Sequence, residues 1–337
     1  MINVAINGFG RIGRMLVRVA HNNKNINFVA VNDLTDTKTL AHLFKYDSVH
    51  GTFPEKVSFT NNSLTIGKRK IKVLAEKDPS KLPWKDLKID VVVESTGRFR
   101  DPIKAAAHLT AGAKKVLLSA TFKSENGKIP SHAITLVSGV NEHKYIKKKH
   151  TIISNASCTT NNVAPLLKLI QNKIGIKRCS FSTIHGYTSS QKIVDLPHKD
   201  LRRARAAAIN IVPTSTSADI AAITTIPSLK GKIRGFAFRV PIPNGSVTEF
   251  TIETNKQVTK EKVNALFATA AKGKLKRIIE YATTDLVSTD IIGNSHSTIF
   301  DSKLTTVIDN KFLHIVAWYD NEWGYSNRMA DMIKFIS

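Results

Sequence analysis

The turn Gly8-Phe9-Gly10-Arg11-Ile12-Gly13 constrains this chain more than any other feature of its 337 residues. It follows an apolar run, Ile2 to Ile6. It opens a segment from about Arg11 to Ala20 in which Ile12, Leu16, Val19 and Ala20 share one helical face. A second apolar run, Phe28 to Val31, ends at Asn32-Asp33, which places Asp33 20 residues after Gly13. A G-x-G-x-x-G alone is a weak signal. Set between a strand and a helix, with an acidic residue closing the next strand, it is the fingerprint of a dinucleotide site. Gly8 permits the tight turn, Gly10 lets backbone N–H groups approach a pyrophosphate, and Gly13 lets helix and strand pack closely. The helix N-terminus favours the phosphate charge. Asp33 would accept hydrogen bonds from ribose hydroxyls and repel a 2′-phosphate, so NAD is expected rather than NADP.

The rest of the first half repeats the alternation. The pattern predicts a helix at about 38–44, short antiparallel strands over 56–59, 63–66 and 70–74, and apolar strands at 89–94, 115–119 and 151–155, with a helix at about 101–111. Near-continuous apolar strands separated by helices imply a parallel sheet buried on both faces. Ligands gather at the carboxyl ends of such strands. Here those ends are Asn7-Gly8, Asp33, Ser95-Thr96-Gly97, Ser119 and residues 155–158. In the second half, 180–184, 233–240, 246–254 and 312–319 read as strands of a mostly antiparallel sheet. An amphipathic helix is expected over 259–272, with Val263, Leu266, Phe267 and Ala270 on one face, and a last helix at about 326–335. The expected fold is α/β. A Rossmann-type dinucleotide-binding domain covers 1–157 and is completed by a C-terminal helix within 321–337. An α+β catalytic domain covers 158–320.

Charge raises a competing reading. Lys plus Arg number 50 against 26 Asp plus Glu, a formal +24, and such a balance invites nucleic acid or an anionic surface. Yet 36 of the 50 are Lys and 14 are Arg, and Arg is the usual residue for bidentate recognition of phosphate and base edges. The lysines are spread along the whole chain, whereas a binding surface needs a basic stripe interleaved with aromatics. Nucleic acid is therefore not expected as the primary partner. No run of 18 apolar residues occurs, so no membrane partner is expected. The N-terminus is broken by Gly8 too early for a signal peptide. Two cysteines, Cys158 and Cys179, with no Cys/His zinc spacing, give neither a disulfide framework nor a metal site and point to a reducing cytoplasm.

Cys158 lies in Ser154-Asn155-Ala156-Ser157-Cys158-Thr159-Thr160-Asn161-Asn162, where a strand passes into a helix. A thiol at a helix N-terminus is expected to have a lowered pKa, and the N–H groups there can hold an oxyanion. Pro165 implies that the helix kinks or starts slightly later. Cys179 lies in an alternating strand and reads as a core residue. A reactive thiol needs a base, and His185, entering the polar loop Gly186-Tyr187-Thr188, is the candidate. Arg239, the lone charge in Phe236-Ala237-Phe238-Arg239-Val240, implies an anionic partner if buried.

The Cys158 loop taken with His185-Gly186-Tyr187-Thr188, the opening Ala5 to Arg14 and the ending Trp318 to Ser326 closely resemble the phosphorylating glyceraldehyde-3-phosphate dehydrogenases. The resemblance runs from Val4 to Met329. It implies that Cys158 attacks the aldehyde of glyceraldehyde 3-phosphate, that His185 acts as base, and that a thioester is cleaved by inorganic phosphate to give 1,3-bisphosphoglycerate, with NAD as cofactor. It matches Thr188 and Arg239 to the substrate phosphate, and Ser157, Thr159, Thr216 and Ser217 to inorganic phosphate, with Arg203 between them. On the cofactor side it matches Arg11 and Ile12 to the pyrophosphate, Asp33 to the ribose, Lys77 and Ser119 to the surroundings of the cofactor, and Asn321 to the nicotinamide carboxamide. It also implies a homotetramer. The chain departs from the pattern at Asn162, where most members carry a second Cys, at Ser217 in place of a common Gly, and at Ser119-Ala120-Thr121, which lacks the usual Pro. A sibling that oxidises erythrose 4-phosphate shares the Cys loop but alters the Tyr-Thr after the His. Tyr187-Thr188 favours the three-carbon substrate. The alternative of a different class is a basic nucleic-acid-binding protein that retains the fold.

Overall fold

A computed structural model describes residues 1–337. The chain divides into two compact units. The first comprises Met1–Leu136, His143–Ala156 and Ser326–Ser337, and the second Val137–Glu142 and Ser157–Tyr325.

The first unit is built from β1 (Ile2–Asn7), α1 (Arg11–Ala20), β2 (Ile26–Asn32), α2 (Thr37–Lys45), β3 (Val57–Thr60), β4 (Ser63–Ile66), β5 (Arg69–Leu74), β6 (Val91–Glu94), α3 (Pro102–Ala105), α4 (Ala107–Thr110), β7 (Lys115–Leu118), β8 (Ala133–Thr135) and β9 (Ile152–Ser154). Its nine-stranded sheet runs β3-β4-β5-β2-β1-β6-β7-β9-β8. From β5 to β8 every pairing is parallel, and β3 and β4 form the antiparallel edge. Strand order reverses at β1, which lies between β2 and β6, and the Gly-rich turn leaves the sheet at that switch point, where open α/β sheets bind ligands. The apolar runs fill both faces. Ala5, Ala30 and Val92 pack with Trp84 and Ile89 on one side, and Val116, Leu118 and Ile152 pack with Ala105 elsewhere along the sheet. The helix expected over 101–111 is two short pieces, α3 and α4. Asp101 caps the first by accepting from the Ile103 N–H at 2.8 Å.

The second unit contains α5 (Cys158–Lys173), β10 (Ile176–Gly186), β11 (Val212–Thr214), α6 (Ala218–Thr225), β12 (Ile233–Val240), β13 (Ser246–Thr254), α7 (Lys260–Lys272), β14 (Ile279–Ala282), β15 (Thr298–Ile308) and β16 (Phe312–Tyr319). Helix α8 (Trp323–Ile336) follows. The sheet order is β11-β12-β10-β13-β16-β15-β14, with only β10/β12 and β14/β15 parallel. The mixed α/β class expected from the sequence holds in both sheets. Helix α5 starts at Cys158 itself and continues through Pro165. The pyrrolidine costs one N–H donor, but its surroundings are fully buried and hold the helix together.

Candidate active site

The Gly-rich turn has the backbone its glycines imply. Gly8 sits at φ +91°, and a Cβ there would come within 2.7 Å of the Thr96 backbone N. A Cβ on Gly13 would lie 2.4 Å from the Gly8 carbonyl oxygen, whereas one on Gly10 would meet nothing within 4 Å. Gly10 is thus not required by protein packing and leaves an open approach to the first turn of α1. No side chain caps that turn. Asp33 pins it from the end of β2. Its Oδ2 accepts from the Phe9 N–H at 2.8 Å, and its Oδ1 from the Thr35 N–H at 3.0 Å. Gly8, Gly10, Asp33, Lys77, Ser95 and Thr96 share a cleft of about 490 Å³. An open glycine, an uncapped helix start and a carboxylate at the cleft edge fit a dinucleotide.

The other cofactor residues differ in what they offer. Arg11 turns its guanidinium onto Asp47 as a two-pronged ion pair. Burial pushes Asp47 up, but the His50 N–H, Arg11 and the Val49 N–H together hold it down at about 2. Arg11 and Ile12 therefore present main chain at the helix start, while the Arg11 side chain anchors the loop after α2. Ser119 is half-buried at the end of β7, its N–H donating to the Glu94 carbonyl at 3.0 Å. Asn321 is buried in the second unit, its Oδ1 accepting from the Ser246 hydroxyl at 2.8 Å.

Beneath the cleft lies a network that the sequence reading did not single out. The buried Glu94 carboxylate accepts from Asn7 Nδ2 at 2.6 Å, from His108 Nε2 at 3.0 Å and from the Thr96 N–H at 2.8 Å. Trp84 Nε1–H donates to His108 Nδ1 at 3.0 Å. An indole can only donate, so His108 is neutral with its proton on Nε2. A buried acid in the apolar run 89–94 was the available signal.

Cys158 begins α5, two residues after Ala156, a fully buried residue held at φ +53°, a backbone that a Cβ disfavours. Ser157 is the N-cap, accepting from the Thr160 N–H at 3.0 Å. Cys158 Sγ lies 3.4 Å from His185 Nε2, so the structure brings the two residues together. Burial pushes the Cys158 thiol up, against the pull of Arg239 and of Thr159. The lowered pKa expected from the helix terminus is not found, because desolvation of the sulfur outweighs the N–H groups around it. Cys179 is buried in β10, where burial and Glu249 push its thiol up to about 12, an inert core residue.

Parallel pairing of β10 with β12 sets His185 opposite Arg239. Arg239 Nη1 lies 2.6 Å from His185 Nδ1 and donates to the Gly186 carbonyl at 2.9 Å. Its Nε is buried without a hydrogen-bond partner, and no carboxylate pairs with it. Burial, then the Arg239 charge, depress His185 to about 3. Arg203 lies near enough to act on both His185 and Arg239 through its charge, while its Nε donates to the Thr214 hydroxyl at 2.8 Å. Thr188, just past β10, hydrogen-bonds the Ser190 hydroxyl at 2.9 Å. The Thr159 hydroxyl meets Tyr319 Oη at 2.9 Å, which meets the Thr183 hydroxyl at 2.8 Å. Thr216 caps the Ala218 N–H at 3.1 Å. It lines a cleft of about 640 Å³ with Asp200, Arg202 and Phe236, and exposed Ser217 precedes α6.

Two family descriptions match the chain: the NAD binding domain of glyceraldehyde 3-phosphate dehydrogenase over residues 2–102, and its C-terminal domain over 157–321. Relatives named glyceraldehyde-3-phosphate dehydrogenase resemble it end to end. That of Thermotoga maritima is 54% identical over 338 residues, covering 100% of this chain and 99% of its own. That of Geobacillus stearothermophilus is 52% identical over 336 residues, covering 100% and 98%.

Proposed function

The chain belongs to the glyceraldehyde-3-phosphate dehydrogenase family, and on that premise we propose that Cys158 and His185 are its catalytic pair. The activity is the NAD-dependent oxidation and phosphorylation of D-glyceraldehyde 3-phosphate to 1,3-bisphosphoglycerate. The observation that carries the assignment of the pair is the 3.4 Å approach of His185 Nε2 to Cys158 Sγ at the start of α5.

In this reading His185 Nε2 takes the Cys158 thiol proton as Sγ bonds to the aldehyde carbon, and returns it to the former carbonyl oxygen, giving a thiohemiacetal whose hydroxyl oxygen faces the Cys158 N–H. NAD, when bound, supplies the hydride acceptor. As hydride leaves the carbon, His185 Nε2 takes the hydroxyl proton and a thioester remains on Sγ. Inorganic phosphate then attacks the acyl carbon, the C–S bond breaks, and the thiolate is restored. Sulfur suits the task because the thioester conserves the energy of oxidation until phosphate arrives. A buried guanidinium without a carboxylate supports Arg239, with Thr188, as the substrate-phosphate anchor, and Arg203 is placed beside it. Ser157, Thr159, Thr216 and Ser217 are assigned to inorganic phosphate. Gly8, Gly10, Arg11, Ile12, Gly13, Asp33, Lys77, Ser119 and Asn321 are assigned to NAD.

The assembly proposed is a homotetramer. Ile193, Leu201 and Ile209 are each more than 80% exposed, a cost in water that a partner copy relieves. Cytoplasmic residence is inferred from two cysteines that form no disulfide. No helix is long and apolar enough to cross a membrane.

The test is turnover of glyceraldehyde 3-phosphate by the purified protein with NAD and phosphate. Cys158→Ala should lower NADH production by about 10⁴-fold or more while NAD still binds. Turnover near the wild-type rate in that variant would overturn the assignment of the nucleophile.

A further inference from the structure

One line of side-chain amides joins the carboxyl ends of four neighbouring strands, β5, β2, β1 and β6. The Glu76 N–H, just past β5, donates to Asn32 Oδ1 at 2.8 Å, and Asn32 Nδ2 donates back to the Glu76 carbonyl at 2.9 Å. The same Nδ2 donates to Asn7 Oδ1 at 2.7 Å, and Asn7 Nδ2 donates to Glu94 Oε2 at 2.6 Å. Every amide along the line points its donor the same way, and the line ends on a carboxylate. Glu94 Oε2 also accepts from His108 Nε2, and Oε1 from the Thr96 N–H and the Thr96 hydroxyl. Asn7 Nδ2, the Thr96 N–H and His108 Nε2, whose partner nitrogen receives the Trp84 indole, can only donate. With the Thr96 hydroxyl donating as well, Glu94 is an anion. It is 3% exposed, and no Lys or Arg pairs with it. A buried charge held by neutral donors alone is a costly arrangement, and what it orders is the rim of the cofactor cleft.

We propose that Glu94 is a positioning residue for NAD. Its charge orients the amides of Asn7 and Asn32 and ties the turn after β6 to the glycine turn, so that the cleft stands formed before the dinucleotide arrives. This rests on the reading of that cleft as the NAD site. Asn7, Gly8, Asn32, Asp33, Lys77 and Thr96 line the cleft, whereas Glu94, His108 and Trp84 do not. The link from the carboxylate to the glycine turn is direct. Glu94 fixes Thr96, whose backbone N is the atom that a Cβ on Gly8 would meet. Ser95 Oγ donates to the Gly8 carbonyl at 2.6 Å, and the Thr96 hydroxyl accepts from the Arg98 N–H at 3.1 Å. Donors aligned toward one anion polarise one another, so the whole line depends on its last member.

An uncharged amide cannot take that place. Whichever way a glutamine at 94 turns, its NH₂ group meets obligatory donors, either Asn7 Nδ2 and His108 Nε2 or the Thr96 N–H. Moving the charge one step along the line can restore the pattern. In the double variant Asn7→Asp, Glu94→Gln, the carboxylate at position 7 accepts from Asn32 and from the amide at position 94. It also lies within reach of His108, whose Nε2 is 3.4 Å from Asn7 Nδ2. The amide oxygen at 94 then accepts from Thr96.

The experiment is calorimetric titration of the nucleotide-free, full-length protein with NAD, without substrate. Glu94→Gln should weaken NAD binding about tenfold or more, since buried donors lose their acceptor. Asn7→Asp alone sets two carboxylates against each other and should weaken it at least as much. The double variant should return to within about threefold of wild type, the coupling expected of two groups in one network. Trp84→Phe removes the donor that fixes His108 and no atom of the cleft lining. It should weaken NAD binding about fivefold, and it keeps the inference open to refutation if Glu94→Gln does not fold. Cys158 lies in the second unit, so its alkylation by iodoacetamide without NAD should keep the wild-type rate in every variant. Unchanged NAD affinity in Glu94→Gln or in Trp84→Phe would overturn the inference. So would a double variant that binds no tighter than the single ones, or a loss of Cys158 reactivity in parallel with the loss of NAD binding, which would mark general disruption. Failure of the wild-type protein to bind NAD would instead overturn the reading of the cleft, and the same titration shows it.

Discussion

At the scale of single residues, the three glycines of the dinucleotide turn separate packing from binding. Gly13 abuts the Gly8 carbonyl, and a Cβ at 2.4 Å leaves no room for a methyl group. Gly13→Ala must therefore push α1 off β1, at a cost of about 1–3 kcal/mol. Gly10 has an ordinary negative φ of −73° and open space where its Cβ would stand. Gly10→Ala should leave the thermal midpoint within a degree or two of wild type yet weaken NAD binding by about tenfold or more, since the methyl group occupies the approach to the pyrophosphate. Calorimetric titration of NAD alongside thermal unfolding checks the pair. Equal effects of both substitutions on stability would refute the distinction. The spacing alone named these glycines, because each role is local to one turn. The sequence also led to Cys158 and His185 through the motif around each. It could not show that Arg239 touches His185. That contact is made by strand pairing between residues 54 apart in the chain, and local pattern carries no trace of it.

At the scale of elements, legibility followed periodicity. Helix α1 and strands β12, β13 and β16 stand where the pattern predicted them, each with an apolar face in register. β15 has no clean alternation because its pairing with β16 shifts between Asp301 and Thr306. α6, Ala-rich and apolar on most sides, has no helical stripe to read. The helix that carries Cys158 is held at its first turns by Asn162, the position where the family pattern has a second Cys. Asn162 is fully buried, and its Nδ2 donates to the Thr298 hydroxyl at 3.1 Å and to the Trp318 carbonyl at 3.3 Å. It thus ties the helix to β15 and to β16. Asn162→Ala should destabilise the protein by about 1–3 kcal/mol, as a cavity and two broken bonds add. The denaturation midpoint checks this. A midpoint at the wild-type value would mean that α5 is held by its apolar contacts alone.

For the whole molecule, the net charge of +24 and the buried groups of the active site both act on acid stability, and salt tells them apart. Acidification adds positive charge to a chain already far from neutral, and the compact state suffers the larger self-repulsion. That part is carried by exposed lysines and weakens as ionic strength rises. The His185 part is not screened in this way. Its folded pKa of about 3 lies below the roughly 6.5 of an unfolded histidine. Between those values the unfolded chain binds a proton that the native site refuses. By linkage, stability is full above pH 6.5 or so and falls as pH drops toward 3. Asp47, held at about 2, adds a second loss that begins only below about pH 4, so the two do not overlap at mild acidity. From pH 7.5 to 5, His185 alone should therefore remove about 2 kcal/mol of unfolding free energy. His185→Gln should abolish that portion of the slope, leaving the remainder from other groups unchanged. Urea unfolding at the two pH values, at low and high salt, measures the difference. If high salt erased it, the slope would belong to the general field of the protein and not to the desolvated ring beside Arg239.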